Sequence, residues 1–565
     1  MRKSLAARVA MSLSFAAFSA PSLGAGDKPL TFDNVVITLG RTTYRIPRIE
    51  IEGASLPPTE LAKLFLSGDA NVAARLARVS ARRILVPSMS SESRDDARVE
   101  RAAYRKLLFE NVVSGRAATV RGDGGEETIE AAQGVQRISW GASVAKGLDL
   151  AELARFALSA RSEADAPFKP LVEEEIVESS RLEDARANIV FTTGRLRIQG
   201  VRGRALKAPP GELVARFKKL DPARPDDPAL MGDLLDALQS FEAASIEVDD
   251  VAANGAGEAQ GQPFSAKIAH AGMRKVAGGG AGEMFFDDFS LAASDGGKLS
   301  LKRFALNDAQ FAPLLQGRAY PKLARMDMSG LAADLPDPKT SETSRIKFSV
   351  EHAHATFENF LETTPTKFSG GVDRFVVDLA ARGEMQTTAH FLALGYRELS
   401  LSGAAAGEWR EKTSEAALAP VAVNGENMGA ARLSALFGNV SRAAFSRSPV
   451  IARAAMLTAS IKSVDLTLDG DGLLDRLLAL EAKEQNISVE KARADYAKAV
   501  AAAITTLGGN GANANRLAEA ASAYIEKPKR LHLRFAAPNG VNALDLLARK
   551  PSEILESLEV EASAD

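Results

Sequence analysis

The stretch Asp33–Leu66, DNVVITLGRTTYRIPRIEIEGASLPPTELAKLFL, decides how the chain is read. β-Branched and aromatic residues dominate Val35–Leu39 and Tyr44–Ile51. In the second run Tyr44, Ile46, Ile49 and Ile51 are interspersed with Arg45, Arg48, Glu50 and Glu52, a pattern that gives an extended strand one buried and one wet face. Pro47 has no N–H for a ladder, so it predicts an edge strand or a bulge at that point. Gly53 and Pro57-Pro58 stop the strand. Thr59 is the predicted N-cap of an amphipathic helix with Leu61, Leu64 and Phe65 on one side.

The same order returns in Phe286–Leu315, FDDFSLAASDGGKLSLKRFALNDAQFAPLL. Phe289 and Leu291 open a strand, Asp295-Gly296-Gly297 is a turn, and Leu299, Leu301 and Phe304 continue a second strand. Asn307 or Asp308 then caps a short helix carrying Phe311, Leu314 and Leu315. The opening residues match as well, Phe32-Asp33 against Phe286-Asp287. Shorter versions are Ile138–Leu158, Ile189–Phe217, Val464–Leu480 and Leu531–Leu547. Their irregular spacing excludes a fixed-period solenoid. The expected fold class is α+β: mostly antiparallel, curved β-sheets with amphipathic helices packed on them, repeated strand–turn–helix units, and a helical segment near the C-terminus.

A chain of 565 residues, 46% hydrophobic and 25% charged, suits a globular protein of several domains. The expected division is a signal peptide at 1–24, α+β domains at 25–160 and 161–335, a β-meander at 342–450 and a mostly helical region at 451–565. Arg2, Lys3 and Arg8 form a basic start, Val9–Phe18 is apolar, and Ser22-Leu23-Gly24 fits a cleavage site. The apolar run is too short to span a bilayer. The expected location is therefore the periplasm of a bacterium, with no transmembrane span in the mature chain. Loss of the signal leaves 67 basic against 72 acidic residues, a balance that gives no electrostatic drive toward nucleic acid or anionic membrane surfaces. With no cysteine, the exported chain has no disulfides and no thiol chemistry.

Along the chain, Asp69–Asn111 reads as helical and basic, with opposite charges at i, i+4 spacing. Ala118–Trp140 returns to strands. Arg161–Arg181, with Glu173-Glu174-Glu175, reads as an acidic loop or linker. Met231–Phe241 is a helix after the turn Asp221–Pro228, and Leu335–Ser341 is a linker. Arg345–Gly438 reads as a β-meander that includes a strand at Met385–Leu392. Leu473–Glu484, Val489–Leu507 and Asn515–Ile525 are helices, the second capped by Ser488.

The chain carries five histidines: His270, His352, His354, His390 and His532. His352 and His354 share a strand face and are weak candidates for a metal pair, with His390 as the nearest third ligand. That face also carries Ile346, Phe348 and Val350, so it is a core face unless the strand twists or bulges. Asp469-Gly470-Asp471-Gly472 hints at a calcium loop, but the twelfth position is Leu480 rather than Glu, and Asp471 is the better N-cap for the next helix. Gly278–Gly282 lacks the Lys-Ser/Thr of a phosphate loop. No nucleophile motif is present, so no catalytic residue is assigned and no cofactor is expected.

The block Leu394–Val440, LGYRELSLSGAAAGEWREKTSEAALAPVAVNGENMGAARLSALFGNV, resembles segments of large β-rich bacterial envelope proteins of the YdgA-like and AsmA-like kinds. The tail DGLLDRLLALEAKEQNISVEKARADYAKAVAAAI resembles the helical end of alphaproteobacterial exported proteins. The resemblance covers the last third of the chain. It implies a long curved sheet, an envelope location and, for the AsmA-like relatives, the handling of lipids. The chain departs from the AsmA-like type in lacking a clear membrane anchor, so transport between membranes does not carry over. The leading expectation is a periplasmic protein without a catalytic site that binds lipid or another apolar ligand, or acts in envelope maintenance. The alternatives are a hydrolase using carboxylate or Ser/Lys chemistry, and a structural or partner-binding envelope protein.

Overall fold

The computed structural model describes residues 29–39, 41–64, 71–95, 98–132, 134–161, 166–208, 212–213, 228–256, 263–315, 321–337, 344–382, 386–446, 448–470 and 472–565. The predicted signal segment, all but the last residue of the turn Asp221–Pro228 and most of the linker Leu335–Ser341 lie outside them. The chain divides into two units. Unit 1 is Met1–Asp295 with Ala305–Leu323, and unit 2 is Gly296–Phe304 with Ala324–Asp565.

Unit 1 starts with β1 (Leu30–Leu39) and β2 (Thr42–Glu52), then α1 (Pro58–Leu64) and α2 (Val72–Leu76). The hairpin of β3 (Ala81–Asp95) and β4 (Arg98–Val113) follows, then β5 (Arg116–Gly122), β6 (Gly125–Ala131), β7 (Gly134–Trp140) and β8 (Ser143–Asp149). Helix α3 (Leu150–Leu158) leads to β9 (Lys169–Val177), β10 (Ser180–Asp184), β11 (Ile189–Thr193) and β12 (Leu196–Gly203). Helix α4 (Pro228–Gln239) precedes β13 (Phe241–Ala256), β14 (Pro263–Ala277) and β15 (Gly280–Ala293). β16 (Lys298–Gln310) contributes to both units, and α5 (Ala312–Leu315) follows it. The ladders are antiparallel: β1–β2–β3–β4, and β13–β14–β15.

A crease crosses the strands of unit 1. In β1 and β2 the buried residues are Phe32, Val35 and Ile37, and Tyr44, Ile46, Ile49 and Ile51. The alternation slips by one residue in both strands, between pairs Phe32↔Ile49 and Val35↔Ile46. The slip falls on Asn34, whose φ is 57°, opposite Pro47. β2 is flanked by β1 and β3, so Pro47 marks the crease and not an edge. Neither ladder has a partner there, and the missing N–H costs nothing. The line continues through Pro87 and Lys106 (φ 37°), which are skipped between Val86↔Leu107 and Ser88↔Arg105. It passes the break between β5 and β6, where the Asp123 N–H donates to the Arg105 carbonyl at 3.1 Å. At the next breaks the Gly141 N–H donates to the Ser179 carbonyl at 3.0 Å and the Gly194 N–H to the Asp249 carbonyl at 2.9 Å. Asp250 (φ 50°) and Asp288 (φ 51°) carry it across β13 and β15. Asn and Asp visit the left-handed region more easily than other residues with a Cβ, which is why they recur here. The match of Phe32-Asp33 with Phe286-Asp287 is therefore structural: each pair precedes a left-handed residue in the middle of a strand.

Several expectations are corrected. Asp69–Asn111 is mostly the hairpin of β3 and β4, and only Val72–Leu76 is helical. Charges that match helical spacing pair across strands instead: Arg101 bridges Glu92 at 3.0 Å and Glu130 at 2.8 Å. The described residues of Arg161–Arg181 are largely strand: Glu174 lies in β9 between Lys146 of β8 and Arg197 of β12, which both bridge it. Asp308 caps no helix; it is a left-handed residue (φ 51°) within β16. Thr59 lies inside α1 rather than at its cap. Asp149 does cap α3, accepting from the Glu152 N–H at 2.9 Å, and α3 buries Leu150, Ala151, Leu153 and Ala154. Phe32, Ile37, Ile46, Ile49, Ile51, Leu61 and Val86 are fully enclosed in the unit 1 core. Each such side chain contributes about 1.5–3 kcal/mol.

Unit 2 is a sequential meander: β17 (Arg325–Pro336), β18 (Arg345–Leu361), β19 (Thr364–Asp378), then α6 (Gln386–Ala393), β20 (Glu398–Arg410), β21 (Glu415–Gly425) and β22 (Gly429–Gly438). Helix α7 (Pro449–Leu457) precedes β23 (Ser460–Gly470). Helices α8 (Leu473–Gln485), α9 (Val489–Gly508) and α10 (Ala512–Glu526) follow, then β24 (Arg530–Asn542), α11 (Ala543–Ala548), α12 (Pro551–Glu556) and β25 (Glu559–Ala564). Each strand from β17 to β25 pairs antiparallel with the next. The predicted strand Met385–Leu392 is helix α6. Gly395 (φ 82°) ends it in a left-handed cap, with Gly395 N–H on the Leu392 carbonyl at 2.9 Å and Tyr396 N–H on that of Phe391 at 3.0 Å. Ser488 caps α9 as expected, accepting from the Lys491 N–H. Helix α8 has Gly472 at its N-cap, and Asp471 lies outside the described residues. Among the described residues no helix is long and apolar enough to cross a membrane.

Candidate functional site

The middle strands of unit 2 are only partly covered: Leu399 of β20 packs against the cluster of Leu379, Leu394 and Tyr396, while Val372 and Val423 stay exposed. On one face lies an open cavity of about 470 Å³ whose floor is Ala404, Ala422 and Ala430. Residues directly opposite on neighbouring strands share a face. The row Asp327–His354–Gly371–Ala404–Ala422–Arg432 therefore runs along this face from β17 to β22. Gly371, Ala404 and Ala422 leave a shallow trough, and the longer polar residues at either end wall it.

One wall is the histidine pair. The crease recurs here: Gly330 (φ 65°) and Arg374 (φ 48°) flank Glu351, and that row is skipped between Leu331↔Val350↔Phe375 and Ser329↔His352↔Asp373. His352 and His354 lie beyond it, past the apolar run Ile346, Phe348 and Val350. The two rings stack at 5.3 Å, 24° apart. His352 Nδ1 lies 3.3 Å from Asp373 and its Nε2 3.9 Å from Asp327. Arg325 holds Asp327 through two hydrogen bonds of 2.6 Å, which keeps that carboxyl below its usual pKa. The His354 ring covers Gly371, where a Cβ would sit 3.1 Å from its Cε1. The opposite wall is Asp469, which accepts from Arg530 at 2.7 Å and Arg432 at 2.6 Å. Arg530 and then Arg432 depress its pKa. His532 lies nearby on β24, 3.1 Å from Asp465.

The structure thus brings His352 and His354 together and places His390 elsewhere, exposed on α6 beside Phe391. Among the described residues no three His, Asp or Glu side chains are placed to hold a metal ion. Arg432, Asp469 and Arg530 carry no sequence signal of a shared wall, since 37 and 61 residues separate Asp469 from its two arginines. Only strand order brings them together.

The other face of the same strands is apolar. Val372, Gly403 and Val423 form one row across β19, β20 and β21, and Phe368 lies opposite Gly407. Phe368, Val372 and Val423 are 37 to 49 % exposed. Gly403 leaves a slot between the two valines.

A protein-family model described as "Uncharacterized protein" matches residues 422–565, from β21 to the end of the chain and within the C-terminal region that prompted the envelope-protein resemblance. No curated protein matches the chain.

Proposed function

We propose that the chain is a non-catalytic binding protein that holds an elongated apolar ligand, a lipid or lipid-like molecule, against the open apolar face of unit 2. The supporting observation is the Val372–Gly403–Val423 row with Phe368 beside it, exposed on adjacent strands. A contiguous apolar strip of this kind is one that soluble proteins normally cover. Glycine at its centre makes it a slot that an alkyl chain fits along. The predicted signal sequence and the resemblance to YdgA-like and AsmA-like proteins agree with an envelope role in which such a ligand is at hand.

The test is to extract the purified full chain with organic solvent, identify released lipid by mass spectrometry, and titrate a fluorescent fatty acid. Val372→Asp with Val423→Asp is expected to weaken uptake about tenfold or more, since a carboxylate against an alkyl chain is costly to desolvate. Circular dichroism should be unchanged. No co-purifying lipid and no uptake by the native chain discards the reading.

A further inference from the structure

The chain holds four Asn-Gly pairs: Asn254-Gly255, Asn424-Gly425, Asn510-Gly511 and Asn539-Gly540. In such a pair the glycine nitrogen can attack the asparagine side chain, because glycine puts no Cβ in the way. Ring closure needs the asparagine backbone to rotate out of the extended form. Two of the pairs are held extended from both sides. Asn254 and Gly255 of β13 pair with β11 and β14, and Asn424 and Gly425 of β21 pair with β20 and β22. Asn539 and Gly540 lie in the stretch of β24 that β23 skips, between Ser463↔Ala536 and Ile461↔Val541. A Cβ on Gly540 would sit 2.5 Å from Ser460 Oγ.

Asn510 differs from the other three. It is exposed in the turn between α9 and α10, with Gly509 (φ 79°) before it and Gly511 as the N-cap of α10. Among the described residues neither its side chain nor the Gly511 N–H has a hydrogen-bond partner; the Asn510 carbonyl accepts from Asn515 Nδ2 at 3.5 Å. The turn is seated on α12, since Asn513 Nδ2 donates to the Leu555 and Leu558 carbonyls at 3.0 and 2.9 Å. That seating lays the Glu556 carboxylate against Gly511, in the space a Cβ would take. Only glycine fits at this position, and a carboxylate stands beside its main chain.

We propose that Asn510 is a site of self-catalysed modification, at which Gly511 and Glu556 convert the side-chain amide to a carboxylate with water as the co-reactant. The Gly511 nitrogen attacks the Asn510 side-chain carbonyl carbon. Glu556 takes the proton from that nitrogen and the departing amide nitrogen receives it, leaving as ammonia. One C–N bond forms and one breaks, with no change of oxidation state. Water then opens the succinimide ring at either of its carbonyls, giving an aspartyl or isoaspartyl link at position 510. The product sets a second carboxylate beside Glu556, and the isoaspartyl form adds a methylene to the main chain just before α10. Like charges then meet where the turn sits on α12, and the seat loosens.

Incubation of the purified full chain in mildly alkaline heavy-oxygen water, then digestion in ordinary water and peptide mass spectrometry, tests the proposal. The label enters only where water has opened a ring. Conversion at Asn510 is expected to outpace that at Asn539, with Asn254 and Asn424 slower still. Glu556→Gln should slow conversion at Asn510 at least about tenfold, a modest effect for a positioned base, and leave Asn539 unchanged. Amide exchange of α12 should quicken as conversion proceeds. Conversion at Asn510 no faster than at Asn539, or an unchanged rate in the Glu556→Gln chain, overturns the proposal. Exchange of α12 that stays as slow in the converted chain overturns the loosening. The ranking of the four sites in the native chain is a test that needs no variant to fold.

Discussion

Lys106 and Arg374 hold backbone positions that favour glycine or asparagine, with φ of 37° and 48°. Left-handed conformation costs a residue with a Cβ roughly 1–2 kcal/mol, less for asparagine and more when the side chain is β-branched. Lys106→Asn is therefore expected to raise the denaturation midpoint, and Lys106→Val to lower it by about 1–2 kcal/mol. The order Asn, Lys, Val in urea unfolding checks this; any other order removes the crease as the cause. Glu174 tells a second residue-scale story. Lys146 and Arg197 hold it at a pKa of about 2. Its folded pKa lies below the unfolded value of about 4.3, so its contribution is present above that value and is lost as pH falls toward 2. Acid unfolding of Glu174→Gln should be shallower than that of the native chain between pH 4.5 and 2. The triple glutamate was legible as charge but not as strand. Its partners lie 28 and 23 residues away, and a run of acids carries no sign of what stands opposite.

At the scale of elements, β1 and β2 were readable because one face repeats apolar residues in both strands. Pro47 correctly marked an interruption, but the sequence held no clue that a third strand lay beyond it. The region of β3 and β4 was misread because Arg and Glu at i, i+4 also suit a strand whose charges are answered from its neighbours. Helix α6 carried a legible signal in Leu394-Gly395-Tyr396: a left-handed glycine followed by an aromatic that packs back on Phe391 at 6.3 Å. Gly395→Ala is expected to cost about 1 kcal/mol by straining that cap. The loss should appear in the thermal midpoint and in faster amide exchange of α6. Unchanged exchange there would separate the glycine from the helix end. The trough was only partly legible. His352 and His354 could be paired from two-residue spacing, whereas the face they occupy depends on the crease at Glu351.

For the molecule as a whole, apolar packing differs between the units. The largest buried cluster among the described residues runs from Phe32 to Val201 within unit 1, while a unit 2 cluster centres on Leu379, Leu394 and Tyr396. Ile49→Ala in the first should cost about 2–5 kcal/mol. Hydrogen exchange followed by mass spectrometry should find the amides of β1–β3 slower than those of β20–β22, and equal protection would contradict the packing difference. The crease has a consequence for how such long strands find their partners. Alternation of inward and outward side chains forbids a slip of one residue but tolerates a slip of two, because every side chain keeps its face. A line of left-handed residues that must meet row by row removes that freedom. A hairpin displaced by two would set asparagine or aspartate kinks against straight backbone and break the ladder on both sides. The interruptions thus act as an alignment key, letting strands of fifteen residues settle into one pairing out of several that hydrophobicity alone would allow.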